Sequence, residues 1–189
     1  MGSHFDAVII GAGPAGWSAA LTLKKAGRHV LVIDQAAFPR HKVCGGFLGA
    51  ENKNFLDEWG IWSDLKAHGA REIEHIRLAS ARGDEMICRR KSHGLAGLGV
   101  SRRLLDQTFQ KAACASGIVF WDATSAVQFI RQEEQWMIEL ISRADHKKTV
   151  VTARHVIHAA GAPAIRKPHP EDLIGASALF ENTPAPADE

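Results

Sequence analysis

The sequence predicts an α/β fold: a parallel sheet that starts with a βαβ unit and carries a β-meander where a crossover helix would ordinarily stand. Three observations carry this. Short, nearly continuous apolar runs at residues 5–10, 29–33, 118–121 and 154–159 have the pattern of strands buried on both faces. Gly11-Ala12-Gly13-Pro14-Ala15-Gly16 separates the first run from a stretch rich in Ala, Leu and Lys. Between the third and fourth runs lie three segments of β-branched, alternating character, set apart by polar turns.

Taken in order, residues 5–10 form the first predicted strand. Residues 14–26 form a helix, with Pro14 suited to the first turn and Gly27 to the stop. Residues 29–33 form the second strand, which ends at Asp34 and closes one βαβ unit. Residues 52–59 and 62–68 read as short helices broken at Gly60. Residues 73–79 and 85–88 read as paired strands turned at Arg82-Gly83-Asp84, and 94–99 as a glycine-rich loop. Ser101 caps a helix reaching Ser116, with Leu104, Leu105, Thr108, Phe109, Ala112 and Ala113 on one face and Gly117 as its stop. After the strand at 118–121, the segments 126–129, 136–140 and 149–151 form the three-stranded meander, and 154–159 is the last strand. Residues 181–189 are Pro-, Ala- and acid-rich and are expected to fray.

Composition narrows the function. A chain of 189 residues corresponds to about 1.3 domains at roughly 150 residues each. At 46% hydrophobic and 23% charged it has the composition of a folded globule, which excludes a disordered chain. Lys and Arg number 23 against 21 Asp and Glu, and the resulting charge of +2 is too small to argue for nucleic acid or an anionic membrane. No apolar run approaches the roughly 18 residues of a membrane span. The start Met1-Gly2-Ser3-His4 lacks a secretory pattern. Three cysteines without a CxxC fit a reducing, cytoplasmic setting and no structural zinc. The absence of any tyrosine excludes the Tyr/Lys chemistry of short-chain dehydrogenases.

The chemistry-bearing motif is the glycine turn. Gly11 permits the tight turn, Gly13 lets the backbone approach a diphosphate, and Gly16 allows close packing of helix on strand; Pro14 and Ala15 complete the cradle. The helix amino end offers free N–H groups and a partial positive charge to phosphate. Asp34, 18 residues past Gly16, is placed to accept both hydroxyls of an adenosine ribose and to repel a 2′-phosphate, with Gln35 beside it. The cradle alone does not separate FAD from NAD.

Three further stretches do. Phe38-Pro39-Arg40-His41-Lys42-Val43-Cys44-Gly45-Gly46-Phe47-Leu48 resembles a loop of the geranylgeranyl reductase and FixC-like branch of FAD-dependent oxidoreductases, a superfamily that includes the group A flavin monooxygenases and flavin halogenases. In that family the loop runs along the diphosphate and ribityl chain toward the flavin ring. Arg40 and Lys42 suit phosphate, and Cys44, Gly45 and Gly46 would approach the ring. Val100-Ser101-Arg102-Arg103-Leu104-Leu105-Asp106 resembles the family's helix start, where an arginine, here Arg102, faces the cofactor. Ala153-Arg154-His155-Val156-Ile157-His158-Ala159-Ala160-Gly161 is similar to the family strand that ends in a small-residue turn near FAD. Many members have Asp where this chain has Ala160. Contacts from Ala160 and Gly161 would then be mainly backbone. Ala126 and Val127, at the start of the meander, complete the candidate cofactor-binding set.

The resemblance implies a Rossmann-like FAD-binding domain formed by 1–51 and 100–167, an incomplete substrate-side region at 52–99, and a tail at 168–189. It covers only the amino-terminal part of the family pattern. The only Gly-Asp is Gly83-Asp84, too early for the family's later ribityl motif. The chain therefore reads as a fragment, or as one part completed by a carboxy-terminal half. The implied function is FAD-dependent oxidation or reduction of a small organic substrate, by a flavin monooxygenase or tailoring enzyme, with NAD(P)H as the electron donor. The alternatives are a geranylgeranyl reductase-like alkene reductase and a non-catalytic nucleotide-binding fragment. No side chain qualifies as a catalytic acid or base. His155 and His158, three apart on a strand, point to opposite faces and cannot share a metal. Ser101 and Asp106 lack a nucleophile-elbow context and make no hydrolase triad.

Overall fold

A computed structural model describes residues 3–80, 82–89 and 97–161. The tail at 168–189 and the first part of the glycine-rich loop at 94–99 lie outside the described residues. In chain order the elements are β1 (His4–Ile10), α1 (Pro14–Lys25), β2 (Val30–Ile33), β3 (Phe47–Gly49), α2 (Lys53–Asp57) and α3 (Ile61–Ala67). They continue with β4 (Arg71–Ile73), β5 (His75–Ala79), β6 (Glu85–Arg89), β7 (Gly97–Gly99) and α4 (Arg102–Ala115). β8 (Val119–Trp121), β9 (Thr124–Gln132), β10 (Gln135–Ser142) and β11 (Lys148–His158) close the series.

One six-stranded sheet in the order β8-β2-β1-β11-β10-β9 forms the frame. β8, β2, β1 and β11 run parallel, while β10 and β9 are antiparallel additions from the meander. This is the parallel sheet with a meander in place of a crossover helix. Strand alternation feeds two cores. Val30 and Val32 of β2 join Trp17 and Leu21 of α1 on one face, together with Leu56 of α2, Leu65 of α3 and Phe109 of α4. Leu31 and Ile33 join Ile138, Leu140 and Val151 of the meander on the other. All four residues of β2 are buried, which is why it reads as an unbroken apolar run.

Three expectations are corrected. The segments at 149–151 and 154–159 are one eleven-residue strand, β11, because the intervening Thr152-Ala153 contains no breaker. Its early residues pair antiparallel with β10 and its later ones parallel with β1. Gly97-Leu98-Gly99, read as loop, is the central strand of a three-stranded sheet, β3-β7-β4. Glycine-rich strands hide from a period-two reading, and here the flat backbone is needed, since a Cβ on Gly97 would fall 2.3 Å from the Leu48 carbonyl oxygen. The run at 73–79 is split at Glu74 between that sheet and the hairpin β5-β6.

The helix signals hold locally. Pro14 opens α1, and Gly27 follows it with φ +75°. The Ser101 hydroxyl accepts the Leu104 N–H at 3.2 Å and caps α4. Ser101→Ala should therefore lower stability by about 1 kcal/mol, read as a denaturant midpoint shift with unchanged slope. Among the described residues no helix is long and apolar enough to cross a membrane.

Candidate cofactor-binding site

The glycine turn lies where β1 hands over to α1, between β2 on one side and the end of β11 on the other. The Gly11 N–H donates to the Ile33 carbonyl at 2.8 Å, and the Ala159 N–H donates to the Ile10 carbonyl at 2.7 Å. The three glycines do different work. Gly11 has φ +108°, and a Cβ there would lie 2.5 Å from the Ala159 carbonyl oxygen. A Cβ on Gly16 would lie 1.9 Å from the Gly11 carbonyl oxygen. Both positions are demanded by the protein itself. Gly13 is different: its backbone is extended, at φ −87° and ψ −179°, and the nearest atoms to a Cβ would be Arg102 Nη2 at 3.6 Å and Arg40 Nη2 at 4.0 Å. The space over Gly13 is bounded by guanidinium groups, at the amino end of a twelve-residue helix.

Asp34 closes the same corner from the end of β2, 8% exposed. Its Oδ2 accepts the Ala12 N–H at 2.9 Å and its Oδ1 accepts the Ala36 N–H at 2.9 Å. Arg40 Nη2 stands 3.2 Å from Oδ2. A carboxylate has about four acceptor sites, so these three donors leave room for one more. The backbone around Asp34 is tied on both sides, its N–H to the Trp121 carbonyl at 3.1 Å and its carbonyl to the Thr124 N–H at 2.8 Å.

Arg40 crosses from Asp34 to Asp106, and its side chain is only 10% exposed. It also lies over the Phe38 ring, 4.9 Å from the centroid. Nη1 is 3.0 Å from Asp106 Oδ2, an ion-pair distance, but its N–H bonds are not aligned on that oxygen, so both Nε and Nη1 are buried without a hydrogen-bond acceptor. Arg102, in the first turn of α4, forks onto Asp106 with Nε to Oδ1 at 3.1 Å and Nη2 to Oδ2 at 3.0 Å. Asp106 is 1% exposed. Burial pushes its carboxyl above the ordinary carboxylate range, while the Arg102 hydrogen bonds and the charges of Arg102 and Arg40 pull the other way.

The structure brings Gly11, Gly13, Pro14, Ala15, Gly16, Asp34, Arg40 and Arg102 to one corner. The backbone of Ala160 adjoins Gly11, whose Cβ would fall 2.8 Å from the Ala160 Cα. Lys42 is exposed, its Nζ 3.8 Å from where a Gly161 Cβ would stand. Cys44 is an exposed free thiol, followed by exposed Gly45 and half-buried Gly46. Gln35 is exposed, and its carbonyl accepts Arg143 Nη1 at 3.5 Å. Ala126 packs into the second core and Val127 is 49% exposed, two and three residues beyond the Thr124 tie to Asp34. Sequence reasoning set Asp106 aside. The available signal was its spacing four residues after Arg102, on the face that otherwise carries Leu105 and Phe109.

The arrangement suits a phosphate-bearing dinucleotide: bare backbone at a helix amino end, two guanidinium groups facing it, and a carboxylate at the end of the next strand. Among curated proteins, the chain is 35% identical over 160 residues to menaquinone reductase of Mycobacterium tuberculosis (strain H37Rv), a match covering 83% of this chain and 38% of that protein. Among solved structures it is similar to a flavoprotein/dehydrogenase from Cytophaga hutchinsonii, with a TM-score of 0.74 and 24% identity over 84% of this chain and 40% of that one. It also resembles the OxyS anhydrotetracycline hydroxylase of Streptomyces rimosus, with a TM-score of 0.71 and 18% identity over 84% and 32%. These likenesses establish the fold. The chain spans under two-fifths of the length of the curated relative. The family described as FAD binding domain matches residues 4–185.

Proposed function

Because this chain belongs to the FAD binding domain family, we propose that it is the cofactor-holding part of an FAD-dependent oxidoreductase acting on a small organic substrate. The observation that carries the site assignment is Arg40. Its buried Nε and Nη1 groups have no hydrogen-bond acceptor, and its Nη2 stands beside Nη2 of Arg102 over the open backbone of Gly13. A diphosphate is an acceptor of the right charge for that corner. Gly13, Pro14, Ala15, Arg40 and Arg102 would hold it, and Asp34 would accept the adenosine ribose. Gln35, Ala126 and Val127 would extend the site beyond Asp34. Lys42, Cys44, Gly45 and Gly46 would lead toward the flavin ring, with Ala160 and Gly161 at the turn opposite.

FAD supplies the redox chemistry; these residues bind, orient and balance charge. No side chain here is assigned a proton-transfer role. Two reaction classes stay within the proposal: hydroxylation by a monooxygenase or tailoring enzyme, and reduction of an unsaturated substrate. The 35% identity to menaquinone reductase favours reduction. NAD(P)H is the proposed electron donor. Residues 52–99, with the β3-β7-β4 sheet and the β5-β6 hairpin, would form the substrate side. A carboxy-terminal counterpart would complete it, which the 38% span of the relative supports. A cytoplasmic setting accords with free thiols at Cys44 and Cys114.

Titrating the purified chain with FAD, followed by flavin absorbance and fluorescence, tests the reading directly. Saturable binding is expected, and Asp34→Ala should weaken it by roughly 1–3 kcal/mol through the lost ribose hydrogen bond. Because Ala12 and Ala36 lose their acceptor as well, that variant should also melt earlier. A chain that takes up no FAD would instead favour the non-catalytic fragment, and NADH binding in its place would favour a dehydrogenase.

A further inference from the structure

We infer that Asp106 is a positioning residue for the cofactor diphosphate, holding two arginines in the geometry that receives it. The inference rests on the FAD reading above and adds a residue which that reading does not use.

Asp106 is a buried carboxylate on the core face of α4, and it touches nothing but guanidinium groups among its ionic partners. Arg102 forks onto both its oxygens, and Arg40 Nη1 stands 3.0 Å from Oδ2. The Nη2 atoms of the same two arginines, one bonded to Asp106 and the other to Asp34, are also the atoms that bound the space over Gly13. Asp106 thus fixes Arg102 by two hydrogen bonds and, together with Asp34, holds Arg40 between two carboxylates. Without it two like charges would face each other in a partly dry corner, and two long side chains would regain rotamer freedom.

Helix stability does not explain the pair. Arg102 sits in the first turn of α4 and Asp106 four residues later, the reverse of the order that suits the helix dipole. Nor does burial, which is costly for the Asp106 charge. The arrangement gains its advantage when an anion arrives. Asp34, Arg40, Asp106 and Arg102 sum to zero charge, so the incoming diphosphate finds fixed N–H donors without a repelling or collapsing cluster.

The test is calorimetric titration of the full 189-residue chain and its Asp106→Asn variant with FAD, ADP and riboflavin, at two salt concentrations. Asp106→Asn should lose about tenfold or more in affinity for FAD and ADP, the scale of one charge-assisted hydrogen bond. Riboflavin, which has no phosphate, should bind as before, a selectivity that a merely structural role would not produce. Asp106→Glu, which restores the charge, should recover part of the ADP affinity. If Asp106→Asn does not fold, Arg102→Lys carries the test: it keeps the charge but not the fork, and should lose ADP affinity alone. Wild-type binding of FAD with Asp106→Asn, or Arg102→Lys, within about twofold of it would overturn the positioning role only. A wild-type chain that binds neither FAD nor ADP would overturn the FAD reading, and this inference with it.

Discussion

Gly16→Ala should destabilise the protein by about 3 kcal/mol or more, at the upper end of what a single added methyl costs in a packed interior. The added Cβ would lie 1.9 Å from the Gly11 carbonyl oxygen and 3.1 Å from its carbon. A flexible side chain could move aside, but this is backbone, and it is held on every side. The Gly11 N–H is committed to Ile33, and the side of Gly11 where a Cβ would stand is closed by Ala159 and Ala160. Relief would require α1 to lift from β1, which would expose Trp17 and Leu21, both fully buried. Chemical denaturation read by tryptophan fluorescence measures the loss. Wild-type stability in Gly16→Ala would show that helix and strand do not meet as described. The same substitution also moves the cradle, so FAD affinity should fall with stability.

The fold was legible where one element obeys one pattern. The apolar run of β2, the proline and glycine at the ends of α1, and the serine cap of α4 each state their structure locally. The meander was legible for the same reason, as β-branched alternation between short polar turns. Legibility failed where two contexts meet in one strand. β11 pairs antiparallel with β10 and then parallel with β1, and nothing in Thr152-Ala153 marks the change. It failed also at Gly97-Leu98-Gly99, where a strand is selected by the close approach of Leu48 and not by side-chain period.

For the site, the glycine spacing and Asp34 were readable because backbone geometry constrains them. The ionic chain from Asp34 through Arg40 and Asp106 to Arg102 was only half readable. Its members are 6, 66 and 4 residues apart, and the long separation is closed by tertiary packing alone. Arg40 and Arg102 were reached through resemblance, whereas Asp106 required the structure. The glycines differ for a physical reason. Gly11 and Gly16 are explained by protein contacts, whereas Gly13 has no packing reason to be glycine.

Gly13→Val should therefore separate binding from folding. The Gly13 backbone is extended, a conformation that any residue adopts, and a Cβ there clears Arg102 by 3.6 Å and Arg40 by 4.0 Å. As Gly13 is the N-cap of α1, valine should cost no more than about 1 kcal/mol of stability. The branched side chain would fill the gap between the helix amino end and the two guanidinium groups, where the diphosphate needs the backbone bare. Losing two charge-assisted hydrogen bonds of about 1.5 kcal/mol each gives roughly 3 kcal/mol, or about a hundredfold in FAD affinity. The expected result is a chain with a near-wild-type denaturation midpoint and no retained flavin. A variant that unfolds would mean that Gly13 is as closely packed as Gly16. A variant that retains flavin normally would place the cofactor elsewhere, because no diphosphate could share that space with two methyl groups.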